Sequence, residues 1–374
     1  MLHCAGGFLA HRRTLLFRMR PDAPDAAAIA RAARIIRGGG TVVFPTETVY
    51  GIGANAFDSR ACAGIFRAKR RPMGNPLIVH IGSRAELMDV AERVPAKVVR
   101  AIEVLWPGPI TLTLAKSRRI PGIVTAGLET VSVRMPSHPV ALSLIRASGV
   151  PIAAPSANIS TMPSSTTAEH ALDDLDGRVD AVIDAGPAPL GIESTIVDVR
   201  GRVPVLLRPG SAQLRLLESM LGRISAHGSV GSARTERRVA PGMAYRHYAP
   251  RTPLVAVLGK ELLVRCAMIY GSEIAVLCSS EVAGVLKEKG ARCRVLDLGS
   301  ESDYAQIARR LFSALRELDS IGARLGAIQT FGNLGIGMAI MDRILRACSG
   351  RAAASLHAFD KAFVELRRAG HLSA

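Results

Sequence analysis

A chain of 374 residues carrying 48 Lys+Arg against 31 Asp+Glu, a formal net charge of +17, is longer than one hydrophobic core usually serves. It is also basic enough to favour polyanionic company such as phosphates, nucleotides or nucleic acid. Only seven of the cations are lysine, a bias that Arg-rich coding also produces, and aromatics at 4% leave little material for base-stacking platforms. Six cysteines (Cys4, Cys62, Cys266, Cys278, Cys293, Cys348) form no CxxC pair and no Cys/His cluster at zinc spacing, and no apolar run approaches the roughly 18 to 20 residues of a membrane span. Composition therefore points to a reduced, cytoplasmic protein with two domains, no structural zinc and no membrane segment.

The first twenty residues hold Arg and no acid, which fits either a weak targeting segment or an over-extended start; we favour the second, with Met19 as the first residue, and set residues 1–22 apart. From Asp25, "DAAAIARAARIIRGGG" has helical periodicity and stops at Gly38 to Gly40, and "TVVFPTETVYG" follows as a strand running into a loop. A helix over residues 58–68 leads into "AKRRPMGNP", Ala68 to Pro76, where three cations precede a turn punctuated by Pro and Gly. Such a run either complements the negative end of the helix macrodipole or holds a polyanion. Strands are expected at "LIVHI", "ITLTL", "VSVRM", "PIAAP", "AVIDAG", "STIVDV" and "VPVLLRPG", with a helix over 139–147. Several follow one another without room for a crossover helix, so this sheet must be mixed.

After Leu221 the chain becomes small, polar and basic up to Pro250, the composition of a linker. Beyond it "PLVAVLG", "EIAVLCS", "RVLDLG" and "GAIQTFG" alternate with helices over 304–318 and 337–347, which implies a small parallel, Rossmann-like sheet. "GNLGIG" lies there too, but its spacing is not GxGxxG and no ribose-binding acid follows, so it reads as an ordinary turn.

Four stretches of the first half combine polar groups with turn residues at strand ends, where open α/β sheets place ligands: "PTETVYGIG", "AKRRPMGNPLIVH", "APSANISTMPSS" and "GIESTIVDVRGRVPVLLRPG". With Lys69-Arg70-Arg71 followed by Ser156-Ala157-Asn158, the linker sequence "PGMAYRHYAP" and the trailing "GIGMAIMDRILRA", the chain resembles the YrdC-type threonylcarbamoyl-AMP synthases, in their longer, two-domain branch. The resemblance implies an α/β protein: an N-terminal YrdC-like domain with a twisted mixed sheet over residues 23–221, a linker and active-site lid over 222–250, and a smaller C-terminal Rossmann-like parallel α/β domain over 251–374.

It also implies a nucleotidyltransferase that condenses L-threonine, bicarbonate and ATP, the latter with Mg²⁺, into threonylcarbamoyl-AMP and pyrophosphate. The product would pass to the machinery that modifies an adenosine beside the tRNA anticodon, and a weak contact with tRNA or other RNA is compatible with the charge. By the same carry-over Lys69 and Arg71 are catalytic and hold ATP together with Asn75, Thr130, Ser156, Asn158, Ser164, Arg208, Tyr245 and His247. Threonine falls to Thr48, His80, Arg134, Ala154 and Ser194. The chemistry agrees, because attack on the α-phosphorus is helped by positioning and by charge on the phosphate oxygens. Arg70 is expected to face solvent, and Ala244 stands where a longer polar residue is familiar in the linker. Glu47 and Glu193 either reach a metal through water or brace a loop.

Two rivals are weaker. A nucleic-acid-binding module needs stacking or groove-reading surface that this composition lacks. A carbamoyl-transfer enzyme of hydrogenase maturation, which contains a related domain, should carry zinc-type Cys pairs.

Overall fold

The computed structural model describes residues 13–226 and 247–368. Among them, twelve strands form one sheet: β1 (Leu15–Arg18), β2 (Val42–Phe44), β3 (Gly51–Asn55), β4 (Ile78–His80), β5 (Ala91–Arg93), β6 (Ile110–Lys116), β7 (Thr130–Arg134), β8 (Ile152–Ala153), β9 (Ala181–Asp184), β10 (Thr195–Asp198), β11 (Val205–Arg208) and β12 (Ser225–Ala226). Their spatial order is β1-β9-β2-β3-β8-β4-β7-β6-β10-β11-β12, with β5 beside β6. The sheet is mixed, as the short connections require: β2 and β3 pair antiparallel, β4 and β7 parallel, β10 and β11 antiparallel.

Capping residues define the helices that flank it. Asp25 accepts from the Ala27 and Ala28 amides to start Ala26–Arg37, and Asp58 does the same for Ser59–Lys69. The latter helix ends because Arg70 takes a left-handed conformation, φ 51°, which throws the basic run off the helix axis and into a turn. Gly53 shows why a glycine-rich segment can be a buried strand: a Cβ there would lie 2.5 Å from Ile152 Cγ2 and 2.7 Å from Phe44 Cε1. The ring and the isoleucine occupy the space that glycine leaves.

The second sheet is wholly parallel, in the order β15-β14-β16-β13-β17, from β13 (Leu254–Val257), β14 (Ile274–Cys278), β15 (Arg294–Asp297), β16 (Leu325–Gln329) and β17 (Ala352–Ala353). Helices Lys260–Tyr270, Ser280–Glu288 and Leu356–Arg368 cover one face, and helices Tyr304–Glu317 and Ile336–Ala347 the other. The second pair also buries Val49, Ile192 and Tyr248, so the two sheets share a core. At this seam Gly191, φ 66°, brings its loop so near helix Tyr304–Glu317 that a Cβ would stand 2.4 Å from Arg309 Cα. Only glycine permits that approach.

The structure corrects two boundaries. Leu15–Arg18, within the stretch set apart as an extension, is an edge strand in register with Ala181–Asp184, with Phe17 buried; a chain starting at Met19 would lack it. Flanking arginines concealed a strand of only four residues. Past Leu221, β12 still pairs with β11, because two residues suffice to extend an edge. The linker residues 227–246 lie outside the described residues.

Candidate active site

The strand-end loops of the first sheet converge on a cavity that receives side chains from all four stretches singled out in the sequence. The pairing of β4 with β7 aligns His80 with Arg134, so sheet register alone places these two side by side. Arg134 donates through Nη1 to Thr48 Oγ1 at 2.9 Å and through Nε to the Gly108 carbonyl at 3.3 Å. Its Nη2 lies 2.7 Å from Glu47 Oε1, an ion pair in which 4% and 9% of the two side chains remain accessible. Burial alone would raise the Glu47 carboxyl, but Arg134 outweighs it and holds Glu47 below the ordinary carboxylate range. His80 is pushed down to about 3, by burial first and then by Arg134, and is a neutral imidazole at physiological pH.

Lys69 and Arg71 form the basic end. The Lys69 ammonium is buried, and donates to the carbonyls of Ser156 and Asn158. Burial, then the charge of Arg71, drives its pKa well below the usual lysine value. Arg71 donates to the Asn75 carbonyl at 3.0 Å and the Pro76 carbonyl at 2.8 Å, so one of its tasks is to hold the turn that presents it. Ser156 donates to Asn158 Oδ1, and the Asn158 amide nitrogen donates to the carbonyls of Ile159 and Met162 at 2.8 and 2.9 Å. Asn158 thus shapes its loop. Arg208 closes the opposite wall, donating through Nε and Nη2 to the Ser194 carbonyl at 3.1 and 2.9 Å and through Nη2 to Ser194 Oγ at 3.1 Å.

Of the residues assigned from sequence, Thr48, Lys69, Arg71, His80, Arg134, Ala154, Ser156, Asn158, Ser194, Arg208 and His247 line this cavity. Thr130 does not. It begins the strand that Arg134 ends, and four residues at roughly 3.3 Å each separate them. Ser164 is fully buried behind the wall, where its hydroxyl donates to Glu193. Asn75 stands in the turn beside the cavity, its carbonyl accepting from Arg71. Arg70 is exposed. Tyr245 lies outside the described residues.

Tyr248, Arg316 and Arg343 escaped sequence reasoning as members or supports of the site, and Glu193, expected to reach a metal or brace a loop, is paired with an arginine. Glu193 lines the cavity and pairs through Oε2 with Arg343 Nε at 3.0 Å, across the seam between the sheets. Tyr248 lines it beside His247 and stacks on Phe312 with ring centroids 5.2 Å apart. Arg316 donates to the Pro163 carbonyl at 2.7 Å and pairs with Asp174 at 2.9 Å, gripping the Ser156 loop from the C-terminal domain. Each of the two arginines was detectable as a cation on or beside the apolar stripe of its helix, Arg343 between Ile340 and Ile344 and Arg316 after Leu315.

Three buried polar atoms of cavity residues have no hydrogen-bond partner among the described residues: His80 Nδ1, Ser160 Oγ and His247 Nε2. Buried polar groups without partners cost roughly 1 to 3 kcal/mol each, so their concentration here marks a place built to be completed by a ligand. A larger hollow of about 600 Å³ lies between helices Lys260–Tyr270 and Ser280–Glu288, but apolar side chains such as Val264, Met268 and Val285 dominate its lining and none of these polar groups reaches it. Size and chemistry disagree, and chemistry identifies the site. As for a metal, no group of three His, Cys, Asp or Glu side chains clusters among the described residues, and both cavity carboxylates are already paired with arginine. The donor set does not form a cation cage.

Comparison with known proteins gives the same frame. The Sua5/YciO/YrdC family model, described as telomere recombination, matches residues 34–210, and that of the threonylcarbamoyl-AMP synthase C-terminal domain matches 213–349. The chain is 42% identical to the threonylcarbamoyl-AMP synthase of Pyrococcus abyssi over 329 residues, 86% of this chain and 94% of that one. It is 42% identical to the Bacillus subtilis threonylcarbamoyl-AMP synthase over 328 residues, 86% and 93% of the two chains. The crystal structure of P. abyssi Sua5 complexed with L-threonine superimposes with a TM-score of 0.83 at 39% identity, covering 91% of this chain and 99% of that one.

Proposed function

The chain belongs to the Sua5/YrdC family of threonylcarbamoyl-AMP synthases, and from that premise we propose that it condenses L-threonine, bicarbonate and ATP to threonylcarbamoyl-AMP, pyrophosphate and water. One observation carries the reading: a single cavity joins a basic end, Lys69, Arg71 and Arg208, to an end with a guanidinium, a neutral imidazole and hydroxyls, Arg134, His80, Thr48 and Ser194. The first end suits a triphosphate and the second an amino acid.

The threonine nitrogen takes up the carbon of bicarbonate, water leaves, and a carbamate forms. A carbamate oxygen then attacks the α-phosphorus, and the bond to pyrophosphate breaks. Lys69 is poised for this: burial and Arg71 lower its pKa, and arriving phosphate oxygens oppose that shift, so they favour its charged form where negative charge accumulates. Arg208 is held two-point on Ser194 and needs no reorganisation. Arg134 offers its fork to the threonine carboxylate while Glu47 keeps it oriented.

Mg²⁺ supplies charge neutralisation on the phosphates; since Glu47 and Glu193 are both engaged, it travels with ATP and its waters instead of residing in the protein. Such a nucleotidyltransferase works in the cytoplasm and hands the adenylate to the enzymes that modify tRNA. No helix among the described residues is long and apolar enough to cross a membrane. Purified protein incubated with ATP, Mg²⁺, L-threonine and labelled bicarbonate should release pyrophosphate and a labelled nucleotide. Retention of RNA without any turnover of ATP would reject the reading in favour of a nucleic-acid-binding module.

A further inference from the structure

Two cavity residues from the first sheet, Ser194 and Arg208, are held from outside it. Arg343, on helix Ile336–Ala347 of the C-terminal domain, is fully buried. Its Nε donates to Glu193 Oε2 at 3.0 Å and its Nη1 donates to the Pro209 carbonyl. Each acceptor is one residue from a cavity group, because Ser194 follows Glu193 and Arg208 precedes Pro209. Arg208 closes the circuit through its bonds to Ser194. The Arg343 guanidinium also lies 5.7 Å from the ring centre of Tyr248, so the wall residue next to His247 rests on the same group. Gly210 shows how tightly the two strands are drawn together: a Cβ there would stand 2.2 Å from the Thr195 nitrogen.

We propose that Arg343 is a positioning residue through which the C-terminal domain sets the geometry of the Ser194–Arg208 wall. This rests on the functional reading above only in taking that wall as substrate-binding. A planar fork is needed, since two acceptors on two different chain segments must be fixed at once; a lysine ammonium on a flexible stem fixes one point well and its angle poorly. Removing the guanidinium would also change the charge of the wall. Glu193 faces Arg343 from the C-terminal helix, Arg208 from β11, the Ser164 hydroxyl from its loop, and, further off, Lys69, His247 and Tyr248. Burial pushes its carboxyl up, and Arg343, then Arg208 and Ser164, hold it down.

The test uses the full chain with Arg343→Met and Arg343→Lys, each checked for folding by near-ultraviolet circular dichroism. Calorimetry reads L-threonine and ATP affinity, and initial rates read kcat, KM and their pH dependence. In Arg343→Met the threonine KM should rise and kcat fall, each by about tenfold or more, and the acid limb of the pH profile should move to higher pH as Glu193 loses its principal cation. Arg343→Lys should return the acid limb towards wild type while leaving kcat depressed, which a merely structural contact would not do. A folded Arg343→Met with wild-type affinities and an unmoved pH profile overturns the proposal. If that variant does not fold, Arg343→Lys decides alone: full wild-type kcat overturns, a kcat deficit with the acid limb in place supports. A wild-type protein that makes no adenylate defeats the functional reading instead, and threonine affinity in the variants still judges Arg343.

Discussion

Both sheets carry polar side chains along one edge of strand ends, yet the two edges differ in how those groups are satisfied. In the C-terminal domain the Ser279 amide donates to Gln329 Oε1 at 2.8 Å, while Ser279 Oγ and Gln329 Nε2 donate to Glu301 Oε1 at 2.9 and 2.7 Å. Lys260 pairs with the other Glu301 oxygen, and Ser300 donates to Glu281 at 2.6 Å. None of these atoms is among the buried groups without partners, whereas atoms of His80, Ser160 and His247 at the first sheet's edge are. A closed network stiffens its own loops, and an open one is completed by something else. Fold class alone would have pointed to ligands at both edges.

The sharpest way to break the comparison is at the open edge. Arg134→Met removes the cation that keeps buried Glu47 ionised, and breaking one side of a buried pair costs about 3 to 5 kcal/mol. Urea denaturation should register that loss, together with loss of threonine binding, and Glu47→Gln in the same background should recover part of the stability. A variant as stable as wild type would mean that Glu47 is already solvated or protonated.

Lys69→Ala comes next, with nucleotide binding weakened by roughly 1.5 to 3 kcal/mol, the range for a hydrogen bond to a charged group. Arg70→Ala should do far less, because Arg70 is exposed and does not line the cavity. Calorimetry with ATP reads both variants, and an Arg70→Ala loss equal to that of Lys69→Ala would mean that the exposed turn, and not the buried amine, holds the phosphates.

How far the sequence went follows the same division between local and distant causes. Lys69, Arg71, Ser156 and Asn158 were legible through the resemblance to the YrdC-type synthases, turn residues alone marking only the stretches that hold them, and the mixed sheet followed from connection lengths. Thr130 does not line the cavity that Arg134 enters, because two positions four residues apart in sequence stand at opposite ends of the same strand. Glu193 and Ser194 looked like one loop, but their partners Arg343 and Arg208 come from 150 and 14 residues away. The first of these pairings depends on how two domains meet, which no local pattern encodes. The strand Leu15–Arg18 was missed for a different reason: four residues with one buried side chain give too short an alternation to read.

A smaller effect concerns pH. His80 is neutral in the folded protein down to about 3, while in the unfolded chain it takes a proton near 6.5. Between those values the unfolded state binds the extra proton, so stability falls as pH falls, by about 1.4 kcal/mol per unit for one group. His80→Gln should show a shallower slope of unfolding free energy between pH 4 and 6 than wild type. Equal slopes would mean that the imidazole is already charged in the fold.

The smallest effect is the one that tests the closed edge. Lys260 is about half exposed, and an ion pair of that kind contributes roughly 0 to 1 kcal/mol. Lys260→Ala should therefore change the unfolding free energy by less than about 1 kcal/mol, and it should leave kcat and both KM values where they were, because the remaining bonds of Ser279 and Gln329 to Glu301 still tie the loops together. That outcome distinguishes stiffening from binding. If threonine or ATP affinity instead dropped severalfold with stability intact, the C-terminal edge would be coupled to substrate, and the contrast between an open and a closed edge would have to be given up.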